Sequence, residues 1–200
     1  LNRMAGVEVN IIDITSAQLE TYSAAYPQRF KDEFSTNTFT HFKVFCEWLK
    51  KHDDVTAFIE VKQESIEHFD LITVMESIYQ QILDTSTQSQ CIIIAFNHEV
   101  VDYTHKNSTM KTGWVLPAWS DEQYLQLKSL QPDFVFCDVD ILPPNNNDIW
   151  RGKWEWAVYN LDDIDSAIAM VNRDIYYLET NEIGSLVKSE ELLTTTEKSS

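Results

Sequence analysis

Two hundred residues, 44% hydrophobic and 24% charged, suffice for one sizeable soluble domain with a hydrophobic core. The charge is lopsided: 15 Lys+Arg against 32 Asp+Glu give a net −17, which repels nucleic acid and anionic lipid surfaces and argues against both as partners. Three widely spaced cysteines (Cys46, Cys91 and Cys137) with no C-x-x-C argue against a zinc site or a disulfide framework. They are expected to be buried thiols in a reducing compartment. No apolar run is long enough to cross a bilayer and no signal peptide is visible, so a cytoplasmic location is expected, although the chain begins with Leu1 rather than Met.

The first fifty residues hold no convincing buried strand. A helical apolar stripe runs through Phe42, Phe45 and Leu49 within Phe39–Lys51. Next comes a strand, Ala57–Val61, in which Phe58, Glu60 and Lys62 share one face and Ile59 and Val61 the other. A carboxylate and an ammonium at the end of a buried strand are costly unless paired with each other or bound to a ligand or metal, and the segment alone leaves both readings open. A second helical stripe spans Phe69–Leu83 through Ile72, Met75, Ile78, Tyr79 and Ile82. Strands follow at Cys91–Phe96 and Gly113–Leu116. Asp121–Leu130 reads as a helix with Ser120 as N-cap and an acidic first turn. Two more strands, Phe134–Val139 and Trp154–Tyr159, precede a helix at Asp162–Asn172 and a last strand at Ile175–Glu179. The barrel-like domain is expected to fill residues 1–192. The polar tail 193–200 is expected to be disordered.

Several of these strands are continuously apolar, as in a parallel sheet covered on both faces. The later ones recur about every 20 residues, the rhythm of repeating βα units. Such a repeat builds either an open doubly wound sheet or a (β/α)₈ TIM barrel. With four glycines and neither G-x-G-x-x-G nor G-x-x-x-x-G-K-[ST], a dinucleotide or P-loop fold lacks its phosphate-binding turn. A complete barrel takes about 250 residues. Six strands therefore suggest an α/β barrel short of two units.

The motifs, taken in order, resemble the glycerophosphodiester phosphodiesterases. Leu1-Asn2-Arg3-Met4-Ala5-Gly6 with Asp13-Ile14-Thr15 and Leu19 is similar to a stretch that in the family follows the H-D motif. Phe58-Ile59-Glu60-Val61-Lys62 is similar to its Glu-x-Lys strand, and Ile92-Ile93-Ile94-Ala95-Phe96-Asn97 to the next. Gly113-Trp114-Val115-Leu116, Trp156-Ala157-Val158-Tyr159-Asn160 and Glu179-Thr180-Asn181 continue the series. Each motif is weak alone, but their order and spacing together are specific. The resemblance implies a TIM barrel of the PLC-like phosphodiesterase type. It implies hydrolysis of a small-molecule glycerophosphodiester to sn-glycerol 3-phosphate and an alcohol, in lipid or glycerol metabolism, with a divalent cation, Mg²⁺ or Ca²⁺.

By this resemblance Glu60 is a metal carboxylate, and Lys62 is the catalytic group that neutralises the phosphate as charge develops. Trp156, Asn97 and Thr180 are implied to contact substrate. Ala95 and Tyr159 depart from the family's Ser and Asn. The family's H-R-G, E-x-D and H-D motifs are not in this chain, which is expected to start just after them. None of the five histidines replaces them obviously; His41, His52 and His68 fall on helix or loop positions, His98 follows a strand and His105 sits in a polar stretch. Glu64, Ser65 and His68 read as a loop after the Glu-x-Lys strand. The chain alone is therefore expected to be inactive, and its two open sheet edges to favour self-association or marginal stability. Two alternatives stand beside this reading: a non-catalytic binding or assembly module, and a barrel enzyme using Lys62 as a Schiff-base lysine.

Overall fold

All six apolar runs become strands, and the strands lie parallel. They are β1 (Ala57–Glu60), β2 (Cys91–Ala95), β3 (Lys111–Val115), β4 (Phe134–Asp138), β5 (Glu155–Tyr159) and β6 (Tyr177–Leu178). The computed structural model describes residues 1–192 and Thr194. The tail expected to be disordered lies, apart from Thr194, outside the described residues. Two units are distinguished: Leu1–Val55 with Glu76–Thr87, and Thr56–Met75 with Gln88 onward.

The first unit carries α1 (Asn2–Ala5), α2 (Ser16–Leu19), α3 (Pro27–Phe30) and α4 (Phe42–Leu49). A capping box starts α2: Gln18 N–H donates to the Thr15 hydroxyl, and the Gln18 side chain accepts from Thr15 N–H. The expected stripe of α4 buries Cys46 and Leu49. Burial pushes the Cys46 thiol upward, against hydrogen bonds from Thr87 and Thr85. As expected, the first fifty residues contain no strand, only an isolated antiparallel bridge between Ser23 and Thr38.

The second unit holds the sheet. Between its strands run α5 (Gln63–Phe69), α6 (Leu71–Thr85, which continues into the first unit), α7 (His98–Asn107) and α8 (Asp121–Leu130). After β5 come α9 (Ile164–Val171) and, beyond β6, α10 (Ile183–Leu186). Helix α8 matches its expected bounds because its signals are strong: the Ser120 hydroxyl accepts from Gln123 N–H, and Asp121 and Glu122 sit in the first turn. Two segments depart from the sequence reading. Residues 63–69, read as a loop, form α5. The stretch containing His98 and His105 is α7, whose buried side is only Val100, Val101 and Thr104, too short an apolar stripe to register as periodic. The connection from β4 to β5 is not an α-helix but two 3₁₀ turns, Val139–Ile141 and Asn146–Asp148, flanking Pro143 and Pro144, which lack the N–H donors a helix needs.

The strand order is β1-β2-β3-β4-β5-β6 with every neighbour parallel. No reversal of order occurs, so the doubly wound alternative is set aside. The sheet also curls. Five spacings of about 4.8 Å would hold β1 and β6 roughly 24 Å apart in a flat sheet, yet the Phe58 and Tyr177 ring centroids lie 6.2 Å apart. Six parallel strands thus form a curled, incomplete TIM barrel, as expected.

Two side-chain layers follow from strand alternation. The concave layer contains Phe58, Ile92, Ile94, Val115, Phe134, Phe136, Ala157 and Tyr159. The layer facing the helices contains Trp114, Leu116, Val135, Cys137, Trp156 and Val158 with Leu127, Leu161, Ala167 and Ile175. Burial on both faces explains the continuously apolar runs. All three cysteines are buried and none is in a disulfide, and burial, reinforced by Asp138, pushes the Cys137 thiol up to about 12. No helix among the described residues is long and apolar enough to cross a membrane.

Gly113 makes the concave layer possible. A Cβ there would lie 2.8 Å from Ile94 Cγ2 and 3.1 Å from Phe136 Cε2. Gly113→Ala is expected to destabilise the chain by about 1–3 kcal/mol through overpacking, read as a lower urea midpoint.

Candidate active site at the carboxyl ends of the strands

Strand alternation carries Phe58 and Glu60 to the concave face of β1. Glu60 ends the strand, where it faces the open rim. Lys62 stands at the N-cap of α5 and makes no side-chain cap. Its Nζ instead donates to Glu60 Oε1 at 2.6 Å. The Lys62 side chain is 63% exposed and that of Glu60 31%, so this is a half-open rim pair, worth at most about 1 kcal/mol.

Glu179 joins them from the far edge of the sheet, just past β6. Burial pushes its carboxyl above the usual carboxylate range, Glu60 pushes the same way, and Lys62 pulls it back. The strands at the two ends of the order thus bring two carboxylates and one ammonium together. Beneath them lies a cleft of about 420 Å³ whose walls include Phe58, Ile94, Phe136, Ala157 and Tyr177.

From the sequence, Tyr159 is noted only as a departure from the family's Asn and Glu179 only within a motif, neither with a role in the site, and Asp138 is not singled out. Asp138 ends β4; its Oδ1 accepts from Asp140 N–H at 3.0 Å and its Oδ2 from Asn160 Nδ2 at 2.7 Å. Burial raises the Tyr159 hydroxyl above its ordinary value, and Asp138 adds to the rise. The signal for Asp138 was present: Phe134, Phe136 and Asp138 share one parity, so an inward apolar row ends in a carboxylate.

The other expected site residues fall in three places. Asn97 lies on the adjoining rim loop as the N-cap of α7: its Oδ1 accepts from Glu99 N–H at 2.8 Å, and its Nδ2 donates to Gln63 Oε1 at 3.0 Å. Thr180 follows Glu179, and its hydroxyl donates to Asp162 Oδ1 at 3.2 Å. Trp156 is not brought to the rim. Its parity on β5 is opposite to that of Ala157 and Tyr159, so it enters the helix-facing layer, 4% exposed, with its indole N–H donated to the Trp150 carbonyl at 2.9 Å.

The rim offers few ligands for a divalent cation. Hard cations take several oxygen ligands, but the described residues contain no group of three ligating side chains placed to hold one. Glu60 is moreover already held by Lys62. These residues alone do not fit the cation implied by the motifs.

The raised Glu179 carboxyl gives a pH prediction. The folded chain holds this proton more tightly than the unfolded chain, so the contribution to stability is full below the ordinary value of 4.5 and is lost as pH rises through the raised folded value. Glu179→Gln should flatten that decline. Urea midpoints across a pH series check it, and an unchanged slope in the variant counts against it.

No family model and no curated protein matches the chain. Solved structures do match. A phosphodiesterase of Oleispira antarctica, in complex with the product sn-glycerol-3-phosphate, superposes with a TM-score of 0.78 at 15% identity, covering 94% of this chain and 76% of that one. A glycerophosphodiester phosphodiesterase of Agrobacterium tumefaciens gives 0.68 at 14% identity over 94% and 78%. That of Parabacteroides distasonis gives 0.69 at 13% over 90% and 71%. These neighbours bear out the barrel fold that the resemblance implied. At such identities the likeness is one of architecture: six of this chain's strands build the barrel fold seen in glycerophosphodiester phosphodiesterases.

Proposed function

We propose that this chain is the barrel portion of a metal-dependent phosphodiesterase that cleaves glycerophosphodiesters to sn-glycerol 3-phosphate and an alcohol. The observation that carries the reading is the meeting of Glu60 and Lys62 at the strand carboxyl ends, where barrel active sites form. The order of the motifs and the barrel fold of the structural neighbours support it. Lys62 would stabilise negative charge growing on the phosphoryl oxygens. Asn97 and Thr180 would border the substrate from the neighbouring loops.

The charge at the rim bears on the cation. A phosphodiester is an anion, and Glu60, Glu179 and Asp138 outnumber Lys62. By itself this rim repels the substrate. This chain contributes Glu60 toward Mg²⁺ or Ca²⁺ and not the remainder of a coordination sphere. The 200-residue chain alone is therefore proposed to be inactive. Self-association through the edges of β1 and β6, which pair with no further strand among the described residues, belongs to the same proposal, as does a cytoplasmic setting for its three cysteines, none of them in a disulfide.

The test is release of glycerol 3-phosphate from glycerophosphocholine with Mg²⁺ or Ca²⁺. The 200-residue chain is compared with a version carrying H-R-G, E-x-D and H-D motifs ahead of Leu1. Activity in the longer version only, lost in Glu60→Ala, is the expected result. Turnover by the 200-residue chain itself would overturn the proposed inactivity. Inactivity of both would favour the binding or assembly module.

A further inference from the structure

A second cleft, of about 540 Å³, opens at the opposite ends of the strands from Glu60. One wall is the end of α8 and the chain entering β4, with Lys128 and Asp133. The other is the chain entering β5, with Arg151, Gly152, Lys153 and Trp154. About 16 Å of strand, five residues at roughly 3.3 Å each, separates it from the rim.

Its charge runs against that of the chain. Acidic residues outnumber basic ones two to one, yet three cations line this cleft and none forms an ion pair among the described residues. Lys128 Nζ lies 4.8 Å over the Tyr124 ring, and Arg151 donates to Asn146 Oδ1 at 3.3 Å. The one carboxylate in the cleft is engaged by the backbone: Asp133 Oδ2 accepts from Thr112 N–H at 2.8 Å.

The aromatic wall of the cleft is Trp154. Its indole N–H is buried and has no acceptor. Native structures rarely leave such a donor orphaned, but an atom closed to solvent is closed to a ligand as well, so it is the Trp154 ring and not its N–H that meets the cleft. The ring is held close to the backbone: a Cβ on Gly152 would lie 2.2 Å from it. An aromatic wall and three cations outside any ion pair among the described residues therefore line one concavity of ligand-binding size.

We propose that this cleft is a second ligand site, for a small organic phosphomonoester whose phosphate is held by Lys128, Arg151 and Lys153 and whose organic part lies against Trp154. Three cations against Asp133 leave an excess that a dianion matches and a monocarboxylate does not. The cleft is far larger than a bare phosphate, which is why an organic body is assigned to it. The field of the net −17 chain disfavours anions in general, so only a ligand that engages several cations at once is retained.

Calorimetric titration of the 200-residue chain with phenyl phosphate at low ionic strength tests this. The expected result is saturable binding at one site, weakened about tenfold or more when Lys128, Arg151 and Lys153 are all changed to Gln, and unchanged in Lys62→Ala. Circular dichroism checks that the triple variant is folded; if it is not, the exposed single change Lys153→Gln is used, with a smaller weakening expected. Absence of saturable binding, equal binding by the cation variants, or loss of binding in Lys62→Ala would each overturn the proposal, the last by placing the ligand at the rim.

Discussion

Trp156→Ala should lower the unfolding free energy by about 3–5 kcal/mol, the range for truncating a large buried aromatic. The ring is 4% exposed, its centroid lies 5.5 Å from that of Trp119, and its N–H is held by the Trp150 carbonyl. The change removes both the packing and the donor. Trp156→Phe keeps much of the apolar volume but leaves the Trp150 carbonyl short of a partner, so an intermediate loss of about 1–2 kcal/mol is expected. Urea unfolding of both variants checks the order. Unchanged stability together with weakened substrate affinity would instead return Trp156 to the substrate contact implied by the motifs.

Lys62→Ala should have the opposite profile. In the version carrying the upstream motifs, kcat for glycerophosphocholine is expected to fall by about 10²–10³-fold, the cost of losing one preorganised group aimed at developing negative charge. Stability should move by no more than about 1 kcal/mol, because the partner Glu60 is half-exposed and the ammonium is mostly in solvent. Lys62→Arg should restore part of the rate, since it keeps the charge but changes its shape. A normal kcat in Lys62→Ala would mean that the pair with Glu60 is only a surface ion pair, the other reading left open by the strand sequence.

The residues that were legible share a physical property: their environment is set by neighbours in the sequence. Phe134–Cys137 is apolar at every position because both faces of β4 are covered, so its strand character could be read directly. Ser120 and the two acids after it fix the start of α8. Glu60 and Lys62 stood out because charge inside an apolar strand is costly. What stayed hidden depends on the curl of the sheet. Glu179 reaches Glu60 only because β6 bends round to β1, and no local pattern records that. Asn97 was legible as a polar residue after a strand, but its work as the cap of α7 was not, since α7 is polar over most of its surface. Trp156 shows a different limit. Its place in a motif suggested the substrate, whereas the parity of Ala157 and Tyr159 on the same strand sends it to the helix-facing layer.

The approach of Phe58 to Tyr177 has a kinetic consequence. These rings are well over a hundred residues apart in the chain and belong to strands that share no hydrogen bonds. Their contact cannot be made locally. It must wait until the four intervening strands are laid side by side and the ribbon has bent. Contacts of such long sequence separation form slowly, because the loop-closure entropy has to be met before they stabilise anything. The Glu60, Lys62 and Glu179 cluster is therefore expected to be among the last features to appear during refolding, after the central hairpin-free stack of β2, β3 and β4 has acquired its protection against hydrogen exchange.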